Sequence, residues 1–272
     1  MEPAPSIRAQ RQKVHLPALG ILALDTAFPR IPGDVGCAAT FAFPVRYQTV
    51  AGATVDAFVH RGDERLLQPF IAAGRSLAAA GCIGITTTCG FLCRWQQALA
   101  AELPVPILTS ALLQLPAIER MLPHGSRAGV VTYSAADLTP ETLAAAGAKP
   151  DTPIAGVAPD GYFGRTIREG RATLDRARMS ADVVTAAQAL VKAHRDIGAI
   201  VLECANMPPY RAAVAKAVGL PVFDAVSLIE WFYAALVGPA RNYAPTDCGT
   251  TTPLLQAEPD TRAVRRLIRR IP

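Results

Sequence analysis

Short apolar runs alternate with segments of helical periodicity along most of the chain. The runs are apolar at nearly every position, which is typical of parallel β-strands covered by helices on both faces. The pattern therefore predicts an α/β fold. The predicted strands are residues 19–24, 82–87, 105–109, 128–133, 154–157, 199–203 and 222–224. The predicted helices are residues 64–80, 91–102, 116–121, 140–146, 181–195, 209–218 and 227–236.

The two halves of the chain repeat one order of features. In the first half a strand ends near Cys89, and a helix then leads to a Leu-Pro-Val run that starts 14 residues later. In the second half the same order begins at Cys204, and the Leu-Pro-Val run starts 16 residues later. A serine that could cap a further helix follows each run, Ser110 in the first unit and Ser227 in the second.

This repeat predicts two similar lobes related by a pseudo-twofold axis. Each lobe is expected to have a central parallel sheet flanked by helices, with the active site in the cleft between the lobes. The first lobe is predicted to span residues 14–126, with residues 225–272 returning to it, and to carry Cys89. The second is predicted to span residues 127–224 and to carry Cys204.

Composition and charge exclude several classes of protein. A chain of 272 residues with 51% apolar and 18% charged residues can bury a large core and is not disordered. The net charge of +5 comes from the ends, because residues 1–13 contribute +2 and residues 257–272 contribute +3. The neutral body argues against a nucleic-acid partner. Because no apolar run reaches the roughly 20 residues that a membrane helix needs, and none resembles a signal peptide, we expect no membrane partner and a cytoplasmic location.

The cysteines that close the two repeated strands are candidate acid–base groups. Ligands of parallel α/β sheets bind beyond the carboxyl ends of the strands, and a helix that begins there favours a thiolate or a substrate carboxylate. Gly90 is expected to leave room for a substrate atom beside Cys89. If the lobes face each other, Cys89 and Cys204 do too, and one thiolate and one thiol could remove and return a proton on opposite faces of one carbon. This scheme needs no metal and no cofactor.

Three motifs resemble the aspartate/glutamate racemase superfamily, which includes hydantoin racemases, arylmalonate decarboxylases and maleate isomerases. They are residues 85–91 (ITTTCGF), 129–134 (GVVTYS) and 201–208 (VLECANMP). The resemblance implies two α/β lobes, a two-base mechanism without a cofactor, and a homodimer. It also implies a racemase or epimerase that acts on an amino acid or a derivative, so that the substrate is a small carboxylate or a hydantoin.

The resemblance assigns roles residue by residue. Cys89 and Cys204 match the catalytic cysteines of the family. The family commonly has Thr after the second cysteine and, in glutamate racemases, His after that; here these positions hold Ala and Asn, so a strict glutamate or aspartate racemase is not implied. The substrate-binding residues implied are Asp25, Thr26, Thr88, Gly90, Thr132, Ser134, Ala205 and Asn206.

Other activities remain open at the level of sequence. A cis–trans isomerase of an unsaturated acid or a decarboxylase of a malonate-type acid would use the same fold, although arylmalonate decarboxylases keep only one of the two cysteines. A non-catalytic protein that binds small acids is a third possibility. The spacing of Cys82, Cys89 and Cys93 matches no common zinc pattern. Cys37 is expected to border the cleft, and Cys248 is expected to have no role in the site. Three arginines could pair with a substrate carboxylate: Arg30, Arg46 and Arg94.

Overall fold

The computed structural model describes residues 16–238 and contains two parallel four-stranded sheets. The first sheet has the strand order β2-β1-β3-β4, in which β1 pairs with both β2 and β3. Its strands are β1 (Leu19–Leu24), β2 (Val45–Val50), β3 (Ile85–Thr87) and β4 (Ile107–Leu108).

The second sheet repeats this order as β6-β5-β7-β8, again with every pair parallel. Its strands are β5 (Arg127–Thr132), β6 (Ile154–Gly156), β7 (Ile197–Leu202) and β8 (Val222–Phe223). In both sheets the strand that comes first in the chain lies between the second and the third. The predicted α/β fold with two similar lobes is therefore confirmed.

Eight α-helices connect and cover the strands of the described region. The last helix returns to the first sheet, where the ring of Tyr233 stacks on Phe43 at 3.7 Å between centroids and its hydroxyl donates to the Pro17 carbonyl at 2.7 Å. No helix within residues 16–238 is long and apolar enough to span a bilayer. The helices are α1 (Leu67–Ala79), α2 (Gln96–Glu102), α3 (Leu115–Met121), α4 (Pro140–Ala145), α5 (Tyr162–Glu169), α6 (Arg176–Ala193), α7 (Arg211–Val218) and α8 (Ala225–Val237).

Most predicted bounds shift by a few residues, and the largest differences from the sequence prediction are three. The strand expected to begin at Cys82 begins at Ile85, because the Cys82 N–H is still bonded to the Leu77 carbonyl and closes the end of α1. The edge strand β2 was not predicted, since most of its residues are at least partly exposed and it has no continuous apolar run. Helix α5 was not predicted either, because most of its residues are polar.

The carboxyl ends of the two sheets meet, and backbone and side chains join them directly. The Val35 N–H, in the long loop after β1, donates to the Ala205 carbonyl after β7 at 3.1 Å. Beside it, the Asn206 amide donates to the Asp34 carboxylate at 2.6 Å. These contacts join the loop after β1 in the first sheet to the end of β7, which carries Cys204.

Asp224 caps helix α8 and provides a test of how this helix is held. Its carboxylate accepts from the Ser227 N–H at 2.8 Å, so Asp224, and not Ser227 as expected, is the capping residue. We expect Asp224→Ala to lower the free energy of unfolding by about 1 kcal/mol, because a helix N–H loses its acceptor. Asp224→Asn, which keeps a capping oxygen, should lose less. Urea unfolding of both variants measures the difference, and equal losses would contradict this role.

Candidate active site

The two predicted catalytic cysteines line one small cavity at the carboxyl ends of the sheets. The cavity encloses about 370 Å³ of empty space, its open mouth included. Its walls are mostly apolar and aromatic, and they bring together side chains from both sheets. The lining residues are Leu24, Thr26, Phe28, Arg30, Val55, Val59, Thr88, Cys89, Gly90, Phe91, Tyr133, Ile167, Glu203, Cys204 and Asn206.

Cys89 lies between β3 and a short 3-10 helix at Gly90–Trp95, and the residue is 7% exposed. Burial raises the pKa of the thiol, and the nearby charge of Glu203 raises it further, while the N–H groups of Phe91 and Leu92 oppose the rise. The expectation that the helix start would lower this pKa is wrong, because desolvation outweighs the two N–H groups.

Cys204 lies after β7 and is held by an ordered chain of hydrogen bonds. Its Sγ donates to Asn206 Oδ1 at 3.5 Å, and the Asn206 amide nitrogen in turn donates to Asp34. Asp34 also accepts from Arg30 at 3.1 Å and from the Gly36 N–H at 2.6 Å, so this carboxylate fixes the orientation of Asn206. The fixed amide oxygen favours a protonated Cys204. Burial raises the pKa of Cys204 as well, so its helix start does not produce the expected thiolate either.

Glu203 is an ionisable residue of the cavity wall that the sequence analysis did not identify, although it lies in the motif of residues 201–208. Its carboxyl is buried, and Oε2 accepts from the Thr132 hydroxyl at 2.8 Å. Its Oε1 has no hydrogen-bond partner among the described residues. Burial raises the pKa of this carboxyl to about 7. Its charge in turn raises the pKa of both Cys89 and Cys204.

Gly90 has a different role from the one expected. A Cβ at this position would lie 2.6 Å from the Glu203 carbonyl and would overlap its carboxyl oxygen. The missing side chain therefore makes room for Glu203 and not for a substrate atom. A charged residue directly after the apolar run Ile200–Leu202 was the signal in the sequence for this buried group.

The other predicted substrate-binding residues divide into two groups. Thr26 and Thr88 line the cavity, where their hydroxyls accept from Arg30 at 2.8 Å and from the Leu24 N–H at 3.1 Å. Asp25 is exposed, lies outside the cavity wall and accepts from the Gly52 N–H at 3.1 Å.

The remaining three predicted residues lie outside the wall of the cavity. Thr132 is buried and holds Glu203, and the Ser134 hydroxyl donates to Asp137 at 2.6 Å. Ala205 is buried, and its carbonyl joins the two sheets as described above. None of the three therefore contacts the cavity directly, and Thr132 acts on it through Glu203.

Of the three candidate arginines, Arg30 lines the cavity and its guanidinium lies over the Phe28 ring at 4.3 Å. Arg46 is exposed on the edge strand β2, and Arg94 lines a separate cleft. Cys37 is half-buried outside the wall, and Cys248 lies outside the described residues. Within residues 16–238 no cluster of His, Cys, Asp and Glu is placed to hold a metal ion.

The raised pKa of Glu203 predicts a pH-dependent stability. The unfolded chain releases this proton near its ordinary pKa of 4.5, but the folded chain keeps it until about pH 7. The stabilising contribution is therefore full below pH 4.5 and is lost as the pH rises to 7, a difference of about 3 kcal/mol. Urea unfolding of the wild type and of Glu203→Gln at pH 5 and pH 7.5 measures it. We expect the wild type to weaken relative to the variant, and parallel behaviour would contradict a protonated, buried carboxyl.

Comparison with known proteins places this arrangement in a family. A family model described as Asp/Glu/Hydantoin racemase matches residues 57–231. Dimethylsulfoniopropionate lyase 7 of Emiliania huxleyi (strain CCMP1516) is 30% identical over 237 residues, which cover 83% of this chain and 69% of that protein. The dimethylsulfoniopropionate lyase of Durusdinium sp. clade D is 28% identical over 232 residues, covering 82% of this chain and 76% of that protein.

A solved structure supports the fold. A sulfate-associated variant of arylmalonate decarboxylase superposes with a TM-score of 0.59 at 17% identity, covering 82% of this chain and 94% of that chain. The family model spans well over half of the sequence and includes both cysteine motifs. The chain belongs to the Asp/Glu/hydantoin racemase family.

Proposed function

We propose that this protein is a lyase that cleaves dimethylsulfoniopropionate, or a closely related small sulfonium carboxylate, by β-elimination. The similarity to dimethylsulfoniopropionate lyases extends over more than 80% of the chain and supports this class of reaction. The observation that carries the proposal is the cavity itself, because Cys89, Cys204, a guanidinium and several aromatic rings line one small space.

The walls suit a small zwitterion whose cation carries methyl groups. The Arg30 guanidinium has five N–H donors, of which Asp34 and Thr26 use only part, so it can still bind a substrate carboxylate. The rings of Phe91 and Tyr133 and the apolar walls suit a methylated sulfonium, because such cations are attracted to aromatic faces.

The proposed reaction requires one base and no redox step. A cysteine thiolate removes a proton from the carbon next to the carboxylate, and the electrons of that C–H bond form the new C=C bond. The C–S bond then breaks with its electron pair on sulfur, so dimethyl sulfide leaves as a neutral molecule. The products are acrylate, dimethyl sulfide and a protonated cysteine.

The surroundings of the two thiols favour Cys89 as the base. Two backbone N–H groups face Cys89 and stabilise a thiolate. Cys204 has one such group, the Asn206 N–H, and donates its own proton to the fixed side-chain oxygen of Asn206. We assign Cys204 as the protonated partner, whose S–H turns from the Asn206 oxygen to the substrate carboxylate when substrate binds and negative charge develops there.

Ionisation of Cys89 is coupled to substrate binding in this proposal. Burial and the charge of Glu203 raise the pKa of Cys89. A sulfonium cation beside the thiol acts in the opposite direction, because an opposite charge favours the ionised form. The thiolate is therefore expected to form with the cationic substrate present and not before.

A racemase is the second candidate, and the shared cavity of Cys89 and Cys204 favours it. In that reaction the two thiols would exchange a proton on opposite faces of one carbon. The two functions are separable, since a lyase releases dimethyl sulfide, whereas a racemase incorporates solvent deuterium into an amino acid or hydantoin without consuming it.

Removal of either cysteine tests the proposed function. We expect the wild type to release dimethyl sulfide from dimethylsulfoniopropionate, and Cys89→Ala and Cys204→Ala each to lower kcat/KM by about 100-fold or more, as for loss of an acid–base group. Cys37→Ala is the matched control, because Cys37 lies outside the cavity wall and should retain activity. Headspace gas chromatography measures the release.

Two results would overturn the lyase assignment. One is release of dimethyl sulfide that survives both substitutions. The other is a wild type that releases none from any sulfonium carboxylate but exchanges α-deuterium into an amino acid or hydantoin, which would establish the racemase instead.

Recognition of the carboxylate gives a separate test. Arg30→Lys keeps the positive charge beside Asp34 but loses the planar pair of donors, so we expect KM to rise about 10-fold or more. Arg46→Lys is the control, since Arg46 is exposed on β2. Steady-state kinetics of both variants measure the effect, and an unchanged KM in Arg30→Lys would show that the carboxylate binds elsewhere.

A further inference from the structure

A second, larger cleft lies against the cavity and shares a wall with it. The cleft encloses about 1050 Å³ of empty space, its opening included, and Val59 and Phe91 contribute to both spaces. His60, which directly follows Val59, lines the cleft together with Asp137. Tyr133 lines the cavity. The shared wall thus has a histidine and a carboxylate on one side and a phenol on the other.

Hydrogen bonds connect these three side chains across the wall. Asp137 Oδ2 lies 2.7 Å from His60 Nδ1, and His60 Nε2 lies 3.4 Å from the Tyr133 hydroxyl oxygen. An acceptor carboxylate at Nδ1 places the imidazole proton on that nitrogen, so Nε2 presents its lone pair to the Tyr133 O–H. The Ser134 hydroxyl also donates to Asp137 Oδ2 and fixes that carboxylate.

The two groups on the cleft side of the wall are more exposed than the phenol on the cavity side. Tyr133 is 8% exposed, whereas the side chains of His60 and Asp137 are 31% and 23% exposed. Burial, followed by the charge of Cys204, raises the pKa of Tyr133 to about 12. The phenol therefore keeps its proton, and it lines the same cavity as Cys89 and Cys204.

We propose that Tyr133, His60 and Asp137 form a proton relay that carries the substrate-derived proton from the cysteine cavity to the neighbouring cleft. The proposal rests on the lyase function proposed above. Elimination leaves one proton on a buried thiol, because neither acrylate nor dimethyl sulfide carries it away. The thiolate needed for the next turnover forms only when that proton reaches solvent.

The relay moves one proton and needs no oxidant, reductant or other reactant. The Cys89 thiol gives its proton to the Tyr133 oxygen across the cavity that both residues line, while the Tyr133 proton moves to His60 Nε2. This leaves a thiolate, an intact phenol and an imidazolium. Asp137 stabilises the imidazolium, as a carboxylate does for other imidazolium ions held in this way. The imidazolium then releases its Nε2 proton to water in the cleft. The other charged groups lining that cleft are Arg61, Glu64, Arg94 and Glu141.

Chemical rescue distinguishes a relay from a structural role. We expect His60→Ala to lower kcat by about 10- to 100-fold with little change in KM, and added imidazole to restore much of it by entering the cleft. Pyrrole has the same size but no basic nitrogen and should not restore activity. Tyr133→Phe should lose a similar factor that imidazole does not restore, since the phenol oxygen is missing. His124→Ala, at an exposed position, is the matched control.

Two kinetic results would overturn the relay. One is a His60→Ala variant with the kcat and solvent deuterium isotope effect of the wild type. The other is rescue by pyrrole to the same extent as by imidazole, which would indicate a filled space and not a transferred proton.

A measurement without substrate tests the relay independently of the proposed lyase. Nitrogen-15 NMR of the histidine ring should show His60 protonated at Nδ1, and Tyr133→Phe should shift the Nε2 resonance. A ring protonated at Nε2 would overturn the relay even if the wild type is an active lyase. A wild type that releases no dimethyl sulfide overturns the lyase, and the NMR result still decides whether the relay geometry exists.

Discussion

The close approach of Glu203 to Gly90 is the contact on which the site depends. It brings the end of β7 in one sheet against the first residue after Cys89 in the other, at a distance that leaves no space for a Cβ. The adjacent hydrogen bonds from Val35 to Ala205 and from Asn206 to Asp34 secure the same junction. Without it, two similar sheets would each have a cysteine at a strand end but no common cavity.

This junction also sets the electrostatics of the cavity. A carboxyl buried behind two thiols is costly to ionise, and once ionised it opposes their ionisation. Only Arg30 contributes a full positive charge to the described cavity wall, and Asp34 already pairs with it. These surroundings therefore favour neutral thiols. A bound cation changes that balance more than a neutral ligand does, because charges interact more strongly where the surroundings are buried and apolar.

The sequence predicts the framework of this molecule better than its chemistry. Strand β1 has the predicted bounds, and the repeated order around Cys89 and Cys204 predicts two similar sheets. These features come from apolar periodicity, which burial enforces strongly. The edge strand β2 was not predicted because much of it is exposed to solvent, so its sequence has no continuous apolar run.

The site residues escape prediction for a different reason. Glu203 meets the residue after Cys89 only through a contact between the two sheets, and the helix that brings Ile167 to the cavity is mostly polar. Spacing along the chain does not encode such contacts. Asp25 shows the converse error, since its position at a strand end was correct but its side chain accepts from the Gly52 N–H away from the cavity.

The repeat is symmetric in its backbone but not around its cysteines. Two N–H groups and apolar rings surround Cys89, while an amide, a carboxylate and a guanidinium form a fixed polar chain behind Cys204. A racemase that works equally in both directions needs two groups able to exchange the roles of base and acid. An elimination needs one base and one donor with fixed roles, and then an exit for the proton. The unequal surroundings of the two thiols suit a base and a donor with fixed roles. The hydrogen-bonded tyrosine and histidine in the shared wall suit the exit of the proton.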